Sequence, residues 1–543
     1  MEKPGQSTAP DLPSAEMHCV GKQACKYSRK EVIFICAIFF FSMYLCKQYG
    51  WTSIWEQFNT PHKEMTVDEV ILSLAWAPST SNFTSFNNSS SAEHSLVRLE
   101  QPRAHYCVGD TLNVLVEMRN YAGHPKAYGG DFILARIYSP NLKAGASGDV
   151  TDFFNGSYRV RFRLFWPGEV QVSVRLIHSS ESVKILQRDW MHDYSKAMHM
   201  GTFISGGKKE TSKCALRLSS DRPLCEYRKK EDGEYYACYQ PKTLPCNSLT
   251  TTKSYVSPGP SLTKEEAQLL AKKNTGIQIR NIFKPLTVLG CTGAHRPTEK
   301  CVTGMNSPFP GGFCHLNQWS SSFCQTLPFL SEDAITKCLK GKTLYILGDS
   351  TVRQWIEYLG RKLKGLKLIK NGAESRVAFD AHSNITVRWV RHYHPWVGSR
   401  SVTIKGTVTI PEVLDSIAVD GGMEDVQVVI GIGQHFRLYP PELFIRRLQN
   451  IRWAILRLLA RSPKASVIIK LENIRELDSM MTHLYSNWYG YMQNQAQRKV
   501  FADMKVAIVD AWDMTVAANS FAVHPDAVIV SNELAVALSF FCH

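Results

Sequence analysis

Four short apolar runs near the C-terminus constrain the fold more than any other feature of the chain. They are Leu344-Tyr-Ile-Leu347, Val426-Gln-Val-Val-Ile430, Val467-Ile-Ile-Lys-Leu471 and Val506-Ala-Ile-Val509, with helix-length patterns between them, notably Pro441–Arg461 and Tyr491–Met504. Strands apolar on both faces and alternating with helices build a parallel sheet covered on both sides. The expected domain, residues 341–543, is therefore a three-layer α/β fold. Ligands of such sheets bind outside the carboxyl ends of the strands, so the chemistry is sought there.

Every strand except the third is followed by reactive residue types. After Leu347 come Gly348-Asp349-Ser350-Thr-Val-Arg353-Gln-Trp355, then an amphipathic helix pattern. Gly348 permits the tight turn and Ser350 falls at the helix N-terminus, where free N–H groups and the positive dipole end stabilise an oxyanion. The blander role for this serine is helix capping. The second strand ends in Gly431-Ile-Gly433-Gln434-His435-Phe436. There Gly433 lets backbone approach a substrate, and the Gln434 or His435 side chains can donate to an oxyanion. The last strand ends in Asp510-Ala-Trp-Asp513, and His524-Pro525 follows on a loop where a general base for Ser350 is expected. No metal is expected: the pair His392-Tyr-His394 lacks HExxH or a carboxylate cluster, and Gly341-Lys342-Thr343 lacks the glycines of a phosphate loop.

Upstream the pattern changes to period two. Leu112–Met118, Phe132–Tyr138, Tyr158–Phe165 and Val170–Ile177 alternate apolar and polar residues, separated by Gly109-Asp110, Gly129-Gly130, Asn155-Gly156 and Pro167-Gly168. This predicts an antiparallel β-sandwich of the immunoglobulin type over 95–205. Residues 206–340 read as a Cys-rich connecting region, with one helix announced by Thr263-Lys-Glu-Glu266.

The apolar run Val32–Cys46 follows Lys22, Lys26, Arg29 and Lys30. That asymmetry predicts a cytosolic tail over 1–30, a signal anchor over 31–49 and a stem over 50–94, in a single-pass type II membrane protein. The alternative is secretion after cleavage; the long leader and the lack of a small-residue cleavage site count against it. Beyond the run lie Cys107, Cys214, Cys225, Cys238, Cys246, Cys291, Cys301, Cys314, Cys324, Cys338 and Cys542. None forms a C-x-x-C pair, so a disulfide framework is expected, and the odd number leaves one thiol over. Cys542, isolated at the end of the last helix pattern, is expected to tie back to the Cys291–Cys338 region. Sequons at Asn82, Asn87, Asn88, Asn155 and Asn384 agree with a secretory route. The net charge of +15 is spread along the chain without a basic helix or an RNA-binding motif, so nucleic acid is not an expected partner.

The motifs at the strand ends resemble the PC-esterase branch of the SGNH hydrolase-like superfamily. Gly145-Ala-Ser-Gly-Asp-Val-Thr-Asp152-Phe-Phe-Asn155-Gly-Ser-Tyr158, followed by Leu164-Phe-Trp-Pro-Gly168, resembles a neurexophilin-like domain. In this order the two are similar to the vertebrate neurexophilin and PC-esterase domain family. The resemblance implies a Golgi carbohydrate O-acetyltransferase or esterase with a glycan or glycoprotein acceptor. Ser350 would be the nucleophile and His524 the base, with His435 near the oxyanion and Asp349, Arg353, Gly433 and Gln434 around it. No bound cofactor is implied; acetyl-CoA or another acyl donor would be co-substrate. Many SGNH enzymes carry Asp three residues before the histidine, where this chain has Phe521. The third member is then Asp513, Asp510 or Asp526, or a Ser–His dyad acts alone. The rival class is a catalytically silent glycoprotein that binds a partner.

Overall fold

The computed structural model describes residues 65–542, apart from 75, 77–84, 193–195, 220, 230–233, 257–261, 292–296, 394–401, 404–406, 419–425 and 478–481. Among the described residues the chain forms four sheets.

Two of them make the sandwich. One has five strands in the order Arg280–Asn281, Ser90–Leu99, Thr111–Asn120, Ser157–Arg163 and Asp149–Asp152. The other runs through Gln318–Ser321, Gly312–His315, Ala144–Ser147, Phe132–Ser139, Gly168–His178, Leu286–Leu289 and Tyr106–Cys107. Alternation puts Val114, Val116, Val160 and Phe162 of the first sheet against Ile133, Ile137, Val172 and Val174 of the second in one buried core. Pairing is antiparallel except at two short edges, where Arg280–Asn281 runs parallel to Ser90–Leu99 and Tyr106–Cys107 runs parallel to Leu286–Leu289.

Residues 206–340 are not a connector. Lys208–Ala215, Leu224–Lys229, Glu234–Tyr239 and Leu249–Val256 join Ala197–Ser205 and Val402–Thr403 in a six-stranded sheet. The segments after residue 276 return to complete the sandwich. These edge strands span two to four residues, too few for a period-two signal, and they are recruited by backbone pairing with distant partners. The expected stem also differs. It holds the helix Val67–Ser73, capped by Thr66 and Glu69, whose Val70 is buried in the α/β core, and the sandwich already opens at Ser90.

The fourth sheet has seven strands, in the order Lys367–Asn371, Ser375–Asp380, Ile385–Arg391, Thr343–Gly348, Val426–Gly431, Ser466–Lys470 and Ala507–Val509. The last five are mutually parallel and the first two form an antiparallel edge. Alternate residues face opposite sides. Ile346, Val429 and Ile468 pack with Trp355 and Leu359 of the helix Ser350–Lys362 and Leu534 of the helix Ala527–Phe541. Val428, Ile430, Val467 and Ile469 pack with Ile451 and Ile455 of the helix Pro441–Arg461 and Trp488 of the helix Asn487–Val500. Thr343–Gly348 comes first in the chain and has its parallel neighbours on both sides, so the strand order reverses at its carboxyl end. That is where a crevice opens in sheets of this kind.

The sandwich docks on the α/β part beside the last strand. Arg136 donates to Ala517 O at 2.8 Å, and Ser147 Oγ to Asp513 O at 3.1 Å. A buried ion pair of Glu234 and Arg447 ties in the six-stranded sheet.

Five disulfides join Cys107–Cys291, Cys214–Cys238, Cys225–Cys246, Cys301–Cys324 and Cys338–Cys542, and Cys314 is the cysteine left over among the described residues. Of the sequons, Asn87, Asn88, Asn155 and Asn384 are exposed; Asn82 lies outside the described residues. The expectation of a single-pass type II membrane protein is corrected. Among the described residues no helix is long and apolar enough to cross a membrane. The run Val32–Cys46, the predicted anchor, lies outside those residues, as do the tail and the anchor as a whole. The disulfides fit an oxidising compartment, which the secreted alternative also supplies.

Cys338–Cys542 spans 204 residues of chain and fastens the last helix. Cys542→Ser should lower stability by roughly 2–5 kcal/mol, because the unfolded chain regains the entropy of a long open loop. Thermal unfolding of the purified protein, with and without reductant, checks this; an unchanged midpoint would count against it.

Candidate active site

Ser350 is placed by the two residues before it. Gly348 has φ +143°, and a Cβ there would collide with the carbonyl oxygen of Gly431 on the neighbouring strand. Only glycine lets the two parallel strand ends come this close while turning into a helix. Asp349 is fully buried and caps that helix, accepting from Thr351 N and Thr351 Oγ1, both at 2.8 Å. Its backbone N–H donates to Gly431 O at 3.1 Å, and Trp389 Nε1 donates to its carbonyl at 3.3 Å. Ser350 is thus the first residue of the helix Ser350–Lys362, half-buried, with its backbone N–H among those no preceding turn can satisfy.

His524 meets it from the far end of the sheet. Its Nε2 lies 2.7 Å from Ser350 Oγ. Three side chains hold the loop that carries it. Gln354, one turn along the serine's own helix, donates to Pro525 O at 2.9 Å. Asn473, fully buried, donates to Ala522 O at 3.0 Å and Val523 O at 3.3 Å, while Glu476 accepts from Val523 N at 3.0 Å. Asn473 and Glu476 follow Ser466–Lys470, the third of the four strands read from sequence, whose end was expected to carry nothing. They lie in Leu471-Glu-Asn-Ile-Arg-Glu476, where Leu471 and Ile474 give the segment an apolar, core-like reading. The polar residues inside it were the missed signal.

None of the expected orienting carboxylates bonds to His524 among the described residues. Asp513 is buried and turned toward the sandwich, accepting from Gly311 N at 2.6 Å. Burial, reinforced by the nearby Asp510, pushes its carboxyl up to about 7. Asp510 pairs with Arg498 at 2.5 Å, and Asp526 caps the last helix by accepting from Val528 N and Ile529 N. The run Asp510-Ala-Trp-Asp513 is the capped first turn of the helix Ala511–Ala518, and Ser350 and His524 meet without a bonded carboxylate behind the ring among the described residues.

The second strand end also differs from expectation. Gln434 spends its backbone N–H on Asp349 Oδ2 at 3.3 Å and its side-chain amide on Asn473 O at 3.2 Å. Gly433, with φ +157°, packs directly on the Glu472 carboxyl, leaving no room for a Cβ. His435 Nδ1 lies 2.8 Å from His392 Nε2, and His392 Nδ1 lies 2.6 Å from Tyr393 O. A carbonyl only accepts, so His392 carries its proton on Nδ1. Burial, with His435 and Arg447 nearby, holds His392 well below the ordinary imidazole range, so the ring is neutral and Nε2 accepts. His435 therefore donates through Nδ1. Burial pushes His435 down to about 4 despite the opposing pull of Asp349, with Arg391, Arg475 and His524 adding to the fall. Its own Nε2 is a bare lone pair, an acceptor and not the oxyanion donor read from sequence. His394, the other half of the H-x-H pair, lies outside the described residues.

Residues 80–256 match the Neurexophilin family profile, and residues 319–542 match the profile described as "NXPE family member 4-like, C-terminal domain". The chain belongs to the neurexophilin and PC-esterase domain (NXPE) family. Among solved structures it is similar to a carbohydrate esterase family 2 enzyme with a carbohydrate-binding domain from Corynascus thermopiles (Myceliophthora fergusii). The identity is 11%, the TM-score 0.23, and the match covers 75% of this chain and 98% of that one. A family two carbohydrate esterase from Clostridium thermocellum in complex with cellohexaose gives 10% identity and a TM-score of 0.20, over 80% of this chain and 90% of that one. At these values the likeness carries no argument about fold or activity.

In this NXPE chain the histidine lies among one cation and several carboxylates. Arg353, one turn along the serine helix, is held by Glu357 at 3.0 Å, and Glu357 also pairs with Arg376 at 2.6 Å. Burial and the Arg353 charge hold His524 below its ordinary 6.5, against the opposing carboxylates Asp349, Glu476 and Glu357. The neutral ring that can accept a proton from Ser350 thus persists to lower pH than a free imidazole allows. Arg353→Gln removes the cation, so the acid limb of the rate profile should move to higher pH, toward 6.5. A pH–rate profile of both proteins with p-nitrophenyl acetate tests the sign; a downward move contradicts the assignment.

Proposed function

We propose that this chain is a carbohydrate O-acyltransferase, acetyl being the group expected, which works through an ester on Ser350. The observation that carries the proposal is the 2.7 Å contact of His524 Nε2 with Ser350 Oγ, at a helix N-terminus above the carboxyl end of a parallel strand. Nucleophile, base and helix-end donors in one crevice are what acyl transfer requires. Family membership and a parallel sheet covered by helices on both faces support the SGNH-like reading of this domain.

Ser350 Oγ attacks the acyl carbon of a donor such as acetyl-CoA, and His524 takes the hydroxyl proton and passes it to the leaving group. The negative charge that develops on the acyl oxygen falls near the Ser350 backbone N–H at the helix N-terminus. A hydroxyl of a glycan or glycoprotein then attacks the ester, its proton moves to His524, and His524 returns a proton to Ser350 Oγ as the bond breaks. With water in place of the sugar, the same ester gives hydrolysis. Asp349 and Gly348 hold the serine at the turn, and burial together with Arg353 favours the neutral base.

Intact-mass analysis of the purified protein given acetyl donors should show one added acetyl group, absent in Ser350→Ala. Ser350→Ala and His524→Ala should each lower kcat by factors on the order of 10⁴ to 10⁶, and the double variant should be scarcely worse than either. Full acyl transfer by folded Ser350→Ala protein would rule the serine mechanism out.

A further inference from the structure

The serine mechanism uses one histidine, yet the crevice is built with three. His392 is 1% exposed, and its ring nitrogens link Tyr393 O to His435. Fixing a tautomer through a second buried ring is costly unless the free nitrogen of the outer ring matters. Because a carbonyl ends the chain, every proton in it is assigned, and His435 must present Nε2 without hydrogen. An oxyanion finds nothing to bond there. A hydroxyl does.

His435 stands past the end of the strand beside that of Ser350, and its neighbour Gln434 donates its N–H to Asp349, the residue before the serine. The proton of the attacking hydroxyl already has its destination in His524. The second acceptor is therefore suited to a different hydroxyl on the same molecule.

We propose that His435 Nε2 accepts a hydrogen bond from a hydroxyl of the acyl acceptor adjacent to the one being acylated, and that His392 is the positioning residue which keeps that nitrogen bare. The site thereby selects acceptors bearing neighbouring hydroxyls over simple alcohols. A site built to bond a hydroxyl discriminates against a molecule lacking it, because its own polar atom is then left without a partner.

The inference rests on the Ser350 ester, so the test reads what happens after that ester has formed. The full chain is given p-nitrophenyl acetate as donor with equal concentrations of glycerol and 1-propanol as competing acceptors, and the two acetyl esters are quantified. Both arise from one acyl-enzyme, so any change in acylation rate cancels in their ratio. The wild-type protein should favour glycerol. His435→Phe should lower the ratio about tenfold, the worth of one hydrogen bond, and His435→Gln, which offers a carbonyl acceptor, should recover part of it. His392→Phe should also lower the ratio, because His435 is then free to take its proton on Nε2. A wild-type protein without a preference for glycerol, or a folded His435→Phe or His392→Phe protein that keeps the wild-type ratio, overturns the inference. No acetylated Ser350 at all is a different result, and it overturns the serine mechanism itself.

Discussion

The arrangement depends on one buried carboxylate. Asp349 is withdrawn from water entirely, a costly position for an acid unless its oxygens and its peptide are all engaged. They are. Its carboxylate caps the serine helix at Thr351 and reaches Gln434 N, its N–H bonds Gly431 O, and its carbonyl receives Trp389 Nε1. One residue thus locks three adjacent parallel strands to the first turn of the helix that carries Ser350. The direction in which the serine leaves the sheet follows from that lock, and so does the approach of the His435 strand end.

The base is fixed by different means. Its loop has no regular structure of its own and is gripped from two sides, by Gln354 of the serine helix and by Asn473 and Glu476 beyond Ser466–Lys470. The grip from Gln354 ties the His524 loop to the helix that carries Ser350, which favours a short Ser350–His524 contact. Below them Lys470 and Glu533 face each other at 3.7 Å, both inaccessible, with Trp355 Nε1 donating to the glutamate at 2.8 Å. Breaking one partner of such a pair leaves a charge stranded in the core, so the floor of the site is intolerant of single changes.

The neurexophilin-like sandwich is part of this construction. The helix after the last parallel strand, Ala511–Ala518, lies between the sandwich and the His524 loop. Gly145 on the sandwich sits so close to Ala517 that a Cβ would strike its carbonyl oxygen, and Asp513 bonds Gly311 N. Asp513 thus serves as a joint where sequence order suggested a triad member. Buried and close to Asp510, it has a raised pKa of the kind that marks an active-site acid, although Arg498 opposes the rise, and here the burial comes from docking against the sandwich.

By itself the sequence determined four of the five parallel strands, the sandwich strands with full alternation, the serine at the first strand end and the histidine past the last. Each is a local signal: an apolar run of strand length, a period of two, a glycine before a helix, a histidine on a loop after a strand. It also placed the tie of Cys542 to the region before the sheet, since an isolated terminal cysteine has few places to go. Only the tertiary structure decided the rest. The strands at 277–281, 286–289 and 312–321 exist because distant edges offer them hydrogen bonds, and two to four residues hold no pattern to read. Asn473 and Glu476 gained their roles from a loop about fifty residues further along the chain. Whether His435 donates or accepts depended on His392 and on a carbonyl beyond it, a proton assignment that exists only once three groups from two strand ends are buried together.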